Sequence, residues 1–144
     1  MSMVKFSCNI GTSNAETPLG IQVWIDDLCV HEHSHVCETY QISHEINDDD
    51  ADHVLRFVLK NKLPEHTCVD ELGNIQSDAR LCIDNIQFDE IDCDQIVCES
   101  ALYRHNFNGT SADTQERFYG EMGCNGTVSL KFATPIYLWL LEKM

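Results

Sequence analysis

This chain is short of positive charge. Its 144 residues carry 9 lysines and arginines against 24 aspartates and glutamates, for a formal net charge of −15. Phosphate backbones and anionic lipid surfaces repel such a chain, so neither nucleic acid nor membrane is expected among its partners. Proline (3) and glycine (7) are too few for a collagenous or low-complexity chain. No apolar run reaches the roughly 18 residues that a membrane span needs. The opening Met1-Ser2-Met3-Val4-Lys5-Phe6 has one positive charge and no long apolar stretch behind it, so no signal peptide is expected. The marks of catalysis are missing too. There is no Gly-x-Ser-x-Gly elbow and no glycine-rich phosphate loop. Paired carboxylates such as Asp70 with Glu71, or Asp89 with Glu90, arise by chance at this composition and carry no signal for hydrolysis. No enzymatic activity is expected.

Cysteine is plentiful, but the eight cysteines include no Cys-x-x-Cys pair, so a four-thiolate zinc site has no spacing support. In a chain made in the cytosol most are expected to be reduced and to behave as small hydrophobes.

What the chain does have is short runs of period-two alternation. In His53–Asn61, Leu55, Phe57 and Leu59 share one parity, as they would along one face of a strand. Leu81 and Ile83 share one parity in Arg80–Phe88, whereas Ile86 and Phe88 share the other. One extra residue near Asp84-Asn85, a β-bulge, would return all four to one face. Val4–Ile10, Gly20–Asp26, Val36–Ile46 and Thr127–Phe132 read as further strands, with Asp26-Asp27 as a turn and Leu28–Val30 as a short return. Gln95–Glu99 and Ala101–Phe107 are also expected as strands. Pro64–Asp78 reads as a polar loop, Thr110–Arg117 as a loop or one short helical turn, and Asn108-Gly109 as a turn. Together these predict one all-β domain over residues 1–144, an antiparallel, jelly-roll-like sandwich.

Three groups of residues are candidate sites. On a strand, His31, His33 and His35 would line one face with Cys37, at a spacing suited to zinc or nickel; in a loop they would simply face water. The loop carrying Glu65, His66, Asp70, Glu71 and Asn74 offers oxygen and nitrogen ligands, and in the Asp70–Asp84 region, with Glu71 and Asp84, calcium is the expected ion. The acidic run Asn47–Asp52 lacks EF-hand spacing and reads as a solvated turn. Trp24 has the opposite parity to Ile21, Val23 and Ile25, so it faces a partner or a covering loop. At the C-terminal end Thr134-Pro135 can start a helix, and Ile136–Leu141 is then apolar on every side. Such a segment must dock, on its own domain or on another subunit. Trp24, Tyr137 and Trp139 are therefore the candidate contacts for a partner or a glycan.

Two resemblances rest on these stretches. The run Asp52–Phe57, Asn61, Gly73-Asn74 and Arg80–Ile86 resembles small calcium-dependent carbohydrate-binding modules of jelly-roll fold. That likeness implies a calcium-dependent, host-surface glycan-binding role. His53–His66, Phe88–Ile91, Phe107–Gly109, Phe118–Thr127 and Thr134–Glu142 are similar to small proteins of tailed phages, mainly marine ones. This second likeness spans most of the chain. It implies a non-enzymatic structural or assembly protein of the virion, made in the host cytoplasm, with other virion subunits as partners and a homo-oligomer as its state.

Overall fold

A computed structural model describes residues 3–14, 16–17, 19–60, 67–69, 71–72, 75–105 and 112–143. The alternating rows become two facing walls. In β5 (Asp52–Lys60) the row His53, Leu55, Phe57 and Leu59 is buried. In β1 (Met3–Thr12) the row is Val4, Phe6, Cys8 and Ile10. β2 (Gly20–Ile25) buries Ile21, Val23 and Ile25, and β13 (Gly126–Ala133) buries Val128, Leu130 and Phe132.

The larger sheet has the order β11 (Thr114–Arg117), β10 (Leu102–His105), β13, β5, β2, β3 (Leu28–His33). The smaller runs β12 (Glu121–Met122), β8 (Leu81–Phe88), β1, β4 (Tyr40–Asn47), with β9 (Ile91–Asp92) also paired to β8. Neighbouring strands in both sheets are antiparallel. Aromatic rings join the layers: Phe6 lies 6.5 Å from Phe57, and Phe88 lies 5.0 Å from Phe132, centroid to centroid. The protein is thus an all-β sandwich.

The bulge in β8 is present. Asn85 has φ 51°, and the register with β1 jumps from Ser7 opposite Gln87 to Asn9 opposite Asp84. Leu81, Ile83, Ile86 and Phe88 are consequently all buried on one face. The carboxylate of Asp94 accepts the Asn85 N–H at 3.0 Å and the Ile86 N–H at 2.7 Å, which holds the displaced backbone. Asp89 and Glu90, with φ 52° and 67°, form the two-residue turn from β8 to β9.

Several expectations are corrected. Residues 94–100 form a helix, α1 (Asp94–Ser100), where the alternation suggested a strand over Gln95–Glu99. Five residues carry too little periodicity to separate the two, and Asp94 suits a first helical turn because its charge meets free N–H groups. Residues 114–117 are a strand, not a loop. β11 is an edge strand with three of its four residues exposed, so no apolar row announces it. The expected strand over Val36–Ile46 begins at Tyr40, because Val36 is buried off the sheet with its N–H on the Leu19 carbonyl at 2.9 Å. The polar stretch 64–78 contains a short two-stranded sheet, β6 (Thr67–Val69) with β7 (Ile75–Asp78).

The C-terminal segment is a helix, α2 (Ile136–Lys143). Ile136, Trp139 and Leu140, spaced i, i+3, i+4, share one face and are buried. Trp139 stands edge-on to Phe88 at 6.1 Å and to Phe132 at 6.3 Å. It is therefore core, and the expectation that Trp139 meets a partner or glycan is overturned by its burial within the chain. Tyr137, Leu138 and Leu141 remain exposed.

Two predictions follow from the packing. Asp94→Ala leaves two bulge N–H groups unpaired and is expected to cost about 1–3 kcal/mol, read as a lower urea midpoint. Cys8, Cys29, Cys37, Cys82, Cys93, Cys98 and Cys124 are free thiols, with Cys8 and Cys93 buried and Cys37 exposed. Burial, followed by the charges of Asp84 and Asp94, pushes the Cys8 thiol up to about 12. Thiol titration of the native protein is expected to label Cys37 readily, and Cys8 only after denaturant is added.

Candidate functional site

One end of the sandwich gathers the loops that carry acidic residues. The Asp26-Asp27 turn joins β2 to β3, the 48–51 link joins β4 to β5, and Asp89-Glu90 joins β8 to β9. Asp26, at φ 54°, turns its carboxylate onto β5. Its Oδ1 accepts the Val54 N–H at 2.9 Å, and its Oδ2 lies 2.6 Å from His53 Nδ1. Asp49 Oδ1 lies 2.8 Å from His53 Nε2 and accepts from Thr134 Oγ at 3.0 Å, while Thr134 Oγ accepts the Ala51 N–H at 3.2 Å. The imidazole is buried and stacks on Phe132 at 5.3 Å. Clefts of about 470 Å³ and 510 Å³ flank it.

Burial of the ring opposes its charge, but the hydrogen bonds and charges of Asp26 and Asp49 outweigh that cost. The His53 pKa is raised above 6.5. The hydrogen bond from His53, then that from Thr134, hold Asp49 below 3.8 against its own desolvation. With a carboxylate at each nitrogen, the ring donates to both when it is protonated. In that protonated form it has no lone pair for a metal or for proton abstraction. The cluster ties the β2–β3 turn, the β4–β5 link and the residue before α2 into one end of the sandwich.

The sign of its pH dependence follows. Because the folded His53 pKa is raised, its stabilisation is full below the unfolded value of about 6.5 and is lost as pH rises through the folded value. The depressed Asp49 contributes above about 3.8 and loses its contribution as pH falls through its folded value. The urea midpoint is expected to decline as pH rises from 6.5. His53→Gln should flatten that slope, and proton NMR of the ring should titrate above 6.5. A wild-type slope that survives in His53→Gln contradicts the assignment.

Among the described residues, the expected histidine set is not brought together as a metal site. His31 and His33 lie on β3 and flank Tyr40, His31 Nε2 being 2.7 Å from the Tyr40 hydroxyl. β3 ends at His33, so His35 falls outside the alternation that would have placed it beside them. The His35 N–H donates to His33 Nδ1 at 3.4 Å, and Cys37 is exposed. Desolvation, then the neighbouring His33, lowers the His31 pKa. Glu71 is exposed in the turn after β6, and Asp84 is exposed on β8 opposite Asn9. Asp70, Glu65, His66 and Asn74, like Asn108-Gly109, lie outside the described residues. Among the described residues no three His, Cys, Asp or Glu side chains form a group able to hold a metal ion.

Two contact candidates are on the surface. Trp24 is half-buried on the outer side of the larger sheet, its Nε1–H donating to Gln22 Oε1 at 3.2 Å. Tyr137 is exposed and donates to Asp89 Oδ2 at 3.1 Å. Between α1 and α2 lies an open cleft of about 730 Å³, lined chiefly by Ile91, Ile96, Tyr137, Leu140 and Leu141. Sequence reasoning missed the Asp26–His53–Asp49 cluster because its outer partner stands 27 residues from His53, with no spacing rule to link them.

No protein-family model matches this chain, and no similar curated protein or solved structure is found.

Proposed function

We propose that this chain is a non-enzymatic structural or assembly protein of a tailed-phage virion, built on a jelly-roll-type sandwich and made in the host cytoplasm. The observation that carries the assembly role is the apolar patch beside the acidic end. Ile91, Tyr137, Leu138 and Leu141 are 39%, 55%, 60% and 67% exposed, and all but Leu138 line the α1–α2 cleft. Exposed apolar groups gathered around a cleft favour a protein partner over water. The phage setting rests on the sequence likeness of residues 53–66, 88–91, 118–127 and 134–142. Mass spectrometry of purified particles tests the virion assignment; absence of the protein from them would overturn it.

A second reading is a glycan-binding module with calcium as a cofactor. The partly open Trp24 ring on a broad sheet face favours it, since an aromatic face can meet a sugar ring. A glycan array with and without calcium tests that reading.

The two faces of α2 separate packing from contact. Trp139→Ala removes a buried indole and is expected to cost about 3–5 kcal/mol. Leu138→Ser with Leu141→Ser should leave the melting temperature near that of the wild type but reduce association, measured by size exclusion with light scattering. Unchanged association in that double variant would remove the patch from the assembly surface.

A further inference from the structure

The outer side of the larger sheet reverses the charge of the molecule. Alternation and register place Arg56 and Lys60 of β5, Arg104 of β10, Arg117 of β11 and Lys131 of β13 on that side. These are five of the nine lysines and arginines in the chain. Of the 24 acidic residues, the described strands put only Glu32, on edge strand β3, and Asp52, at the start of β5, on the same side. One register row crosses five strands as Trp24, Arg56, Ser129, Leu102 and Arg117; the next runs Gln22, Val58, Thr127, Arg104 and Gln115.

The arginines there have neutral partners. Arg56 donates to the Asp26 carbonyl at 3.3 Å, Arg104 to Gln115 Oε1 at 3.1 Å, and Arg117 to the Cys98 carbonyl at 3.2 Å. Arg117 also lies over the Tyr119 ring at 5.4 Å. Among the described residues no salt bridge neutralises any of the five cations. Apolar groups stand among them, with Leu102 44% exposed and Trp24 half-buried.

The acidic end is the complement. Asp26, Asp27, Asp48, Asp49, Asp50, Asp89 and Glu90 gather there, and the segments 26–27, 47–52 and 89–94 contain no lysine or arginine. The exposed apolar residues of α2 adjoin it through the Tyr137–Asp89 hydrogen bond. From these placements we propose that the outer side of the larger sheet docks the acidic, apolar end of a second copy of this chain, joining copies head to tail. This rests on the assembly reading above and names its partner and both contact surfaces.

Six strands about 4.8 Å apart make a face roughly 24 Å wide, broad enough to receive the end of a sandwich whose sheets lie about 10 Å apart. Two copies of net charge −15 repel at long range. At physiological ionic strength the screening length is about 8 Å, so remote charges fade while contacts across the junction persist. The two surfaces are different patches, so the contact is heterologous and builds a ring or a filament.

Sedimentation velocity on the full chain tests this with two charge-reversal variants. One reverses the face (Arg104→Glu with Lys131→Glu), and the other reverses the end (Asp27→Lys with Asp48→Lys). The wild type is expected to associate in 0.1 M salt and much less in 1 M, where screening shortens to about 3 Å. Each variant alone should associate at least tenfold more weakly while keeping a wild-type thermal melt. Mixed together they should co-assemble, because the unaltered end of one meets the unaltered face of the other and the two reversed patches are complementary as well. That rescue cannot come from misfolded chains. A wild type monomeric at every concentration overturns the proposal. So does association indifferent to both reversals, or well-folded variants that fail to pair. Retention of a monomeric wild type on a sulfated polysaccharide, lost on face reversal, overturns it in favour of a polyanion occupant. A monomer that is nevertheless found in purified particles removes this junction and leaves the virion assignment standing.

Discussion

The structure depends on a layer of aromatic rings held between two sheets. Phe6 and Phe88 belong to the smaller sheet, Phe57 and Phe132 to the larger, and each is almost wholly buried. Phe88 joins the two sheets and the C-terminal helix, touching Phe6, Phe132 and Trp139. It points inward only because β8 has one extra residue at Asn85, which shifts the parity of everything after it. Without that bulge, either Leu81 and Ile83 or Ile86 and Phe88 would face water. The carboxylate of Asp94 satisfies the backbone groups that the bulge displaces, so a polar residue after the strand sustains an apolar layer inside it.

The same layer explains the position of the C-terminal helix. Trp139 reaches Phe88 and Phe132 at the edge of the sandwich, and Ile136 and Leu140 follow on the same helical face. Covering that edge leaves the other face of a short, wholly apolar stretch in water. The exposed patch is thus a consequence of sealing the core with residues that lack a polar side. Its neighbours are the acidic turns, so one end of the molecule combines apolar surface with dense negative charge.

Charge is segregated by fold more than by sequence. Along the chain the lysines and arginines are scattered, from Lys5 to Lys143. Strand alternation and antiparallel register collect five of them on one sheet face. The acidic turns meet at one end because the strands before or after them terminate there. His53 offsets part of that charge at its centre, held between Asp26 and Asp49. A buried histidine serves this position because its protonated ring can donate to two carboxylates at once, one from each side.

Period-two alternation was enough to read the central strands β1, β2, β5 and β13 and their inward rows, because a half-buried strand imposes its pleat on side-chain polarity. The broken parity between Ile83 and Ile86 announced the bulge for the same reason. Where that polarity signal was weak, the reading failed: β11 is an exposed edge, and α1 is too short for its period to register. Sequence also marked Ile136–Leu141 as a segment that must dock, but not that Trp139 would point inward and Tyr137 outward. The tertiary structure alone decided the Asp26–His53–Asp49 tie and the basic face. Each depends on residues distant in sequence being placed by strand pairing, and pairing register is set by the packing of the whole core rather than by any local stretch.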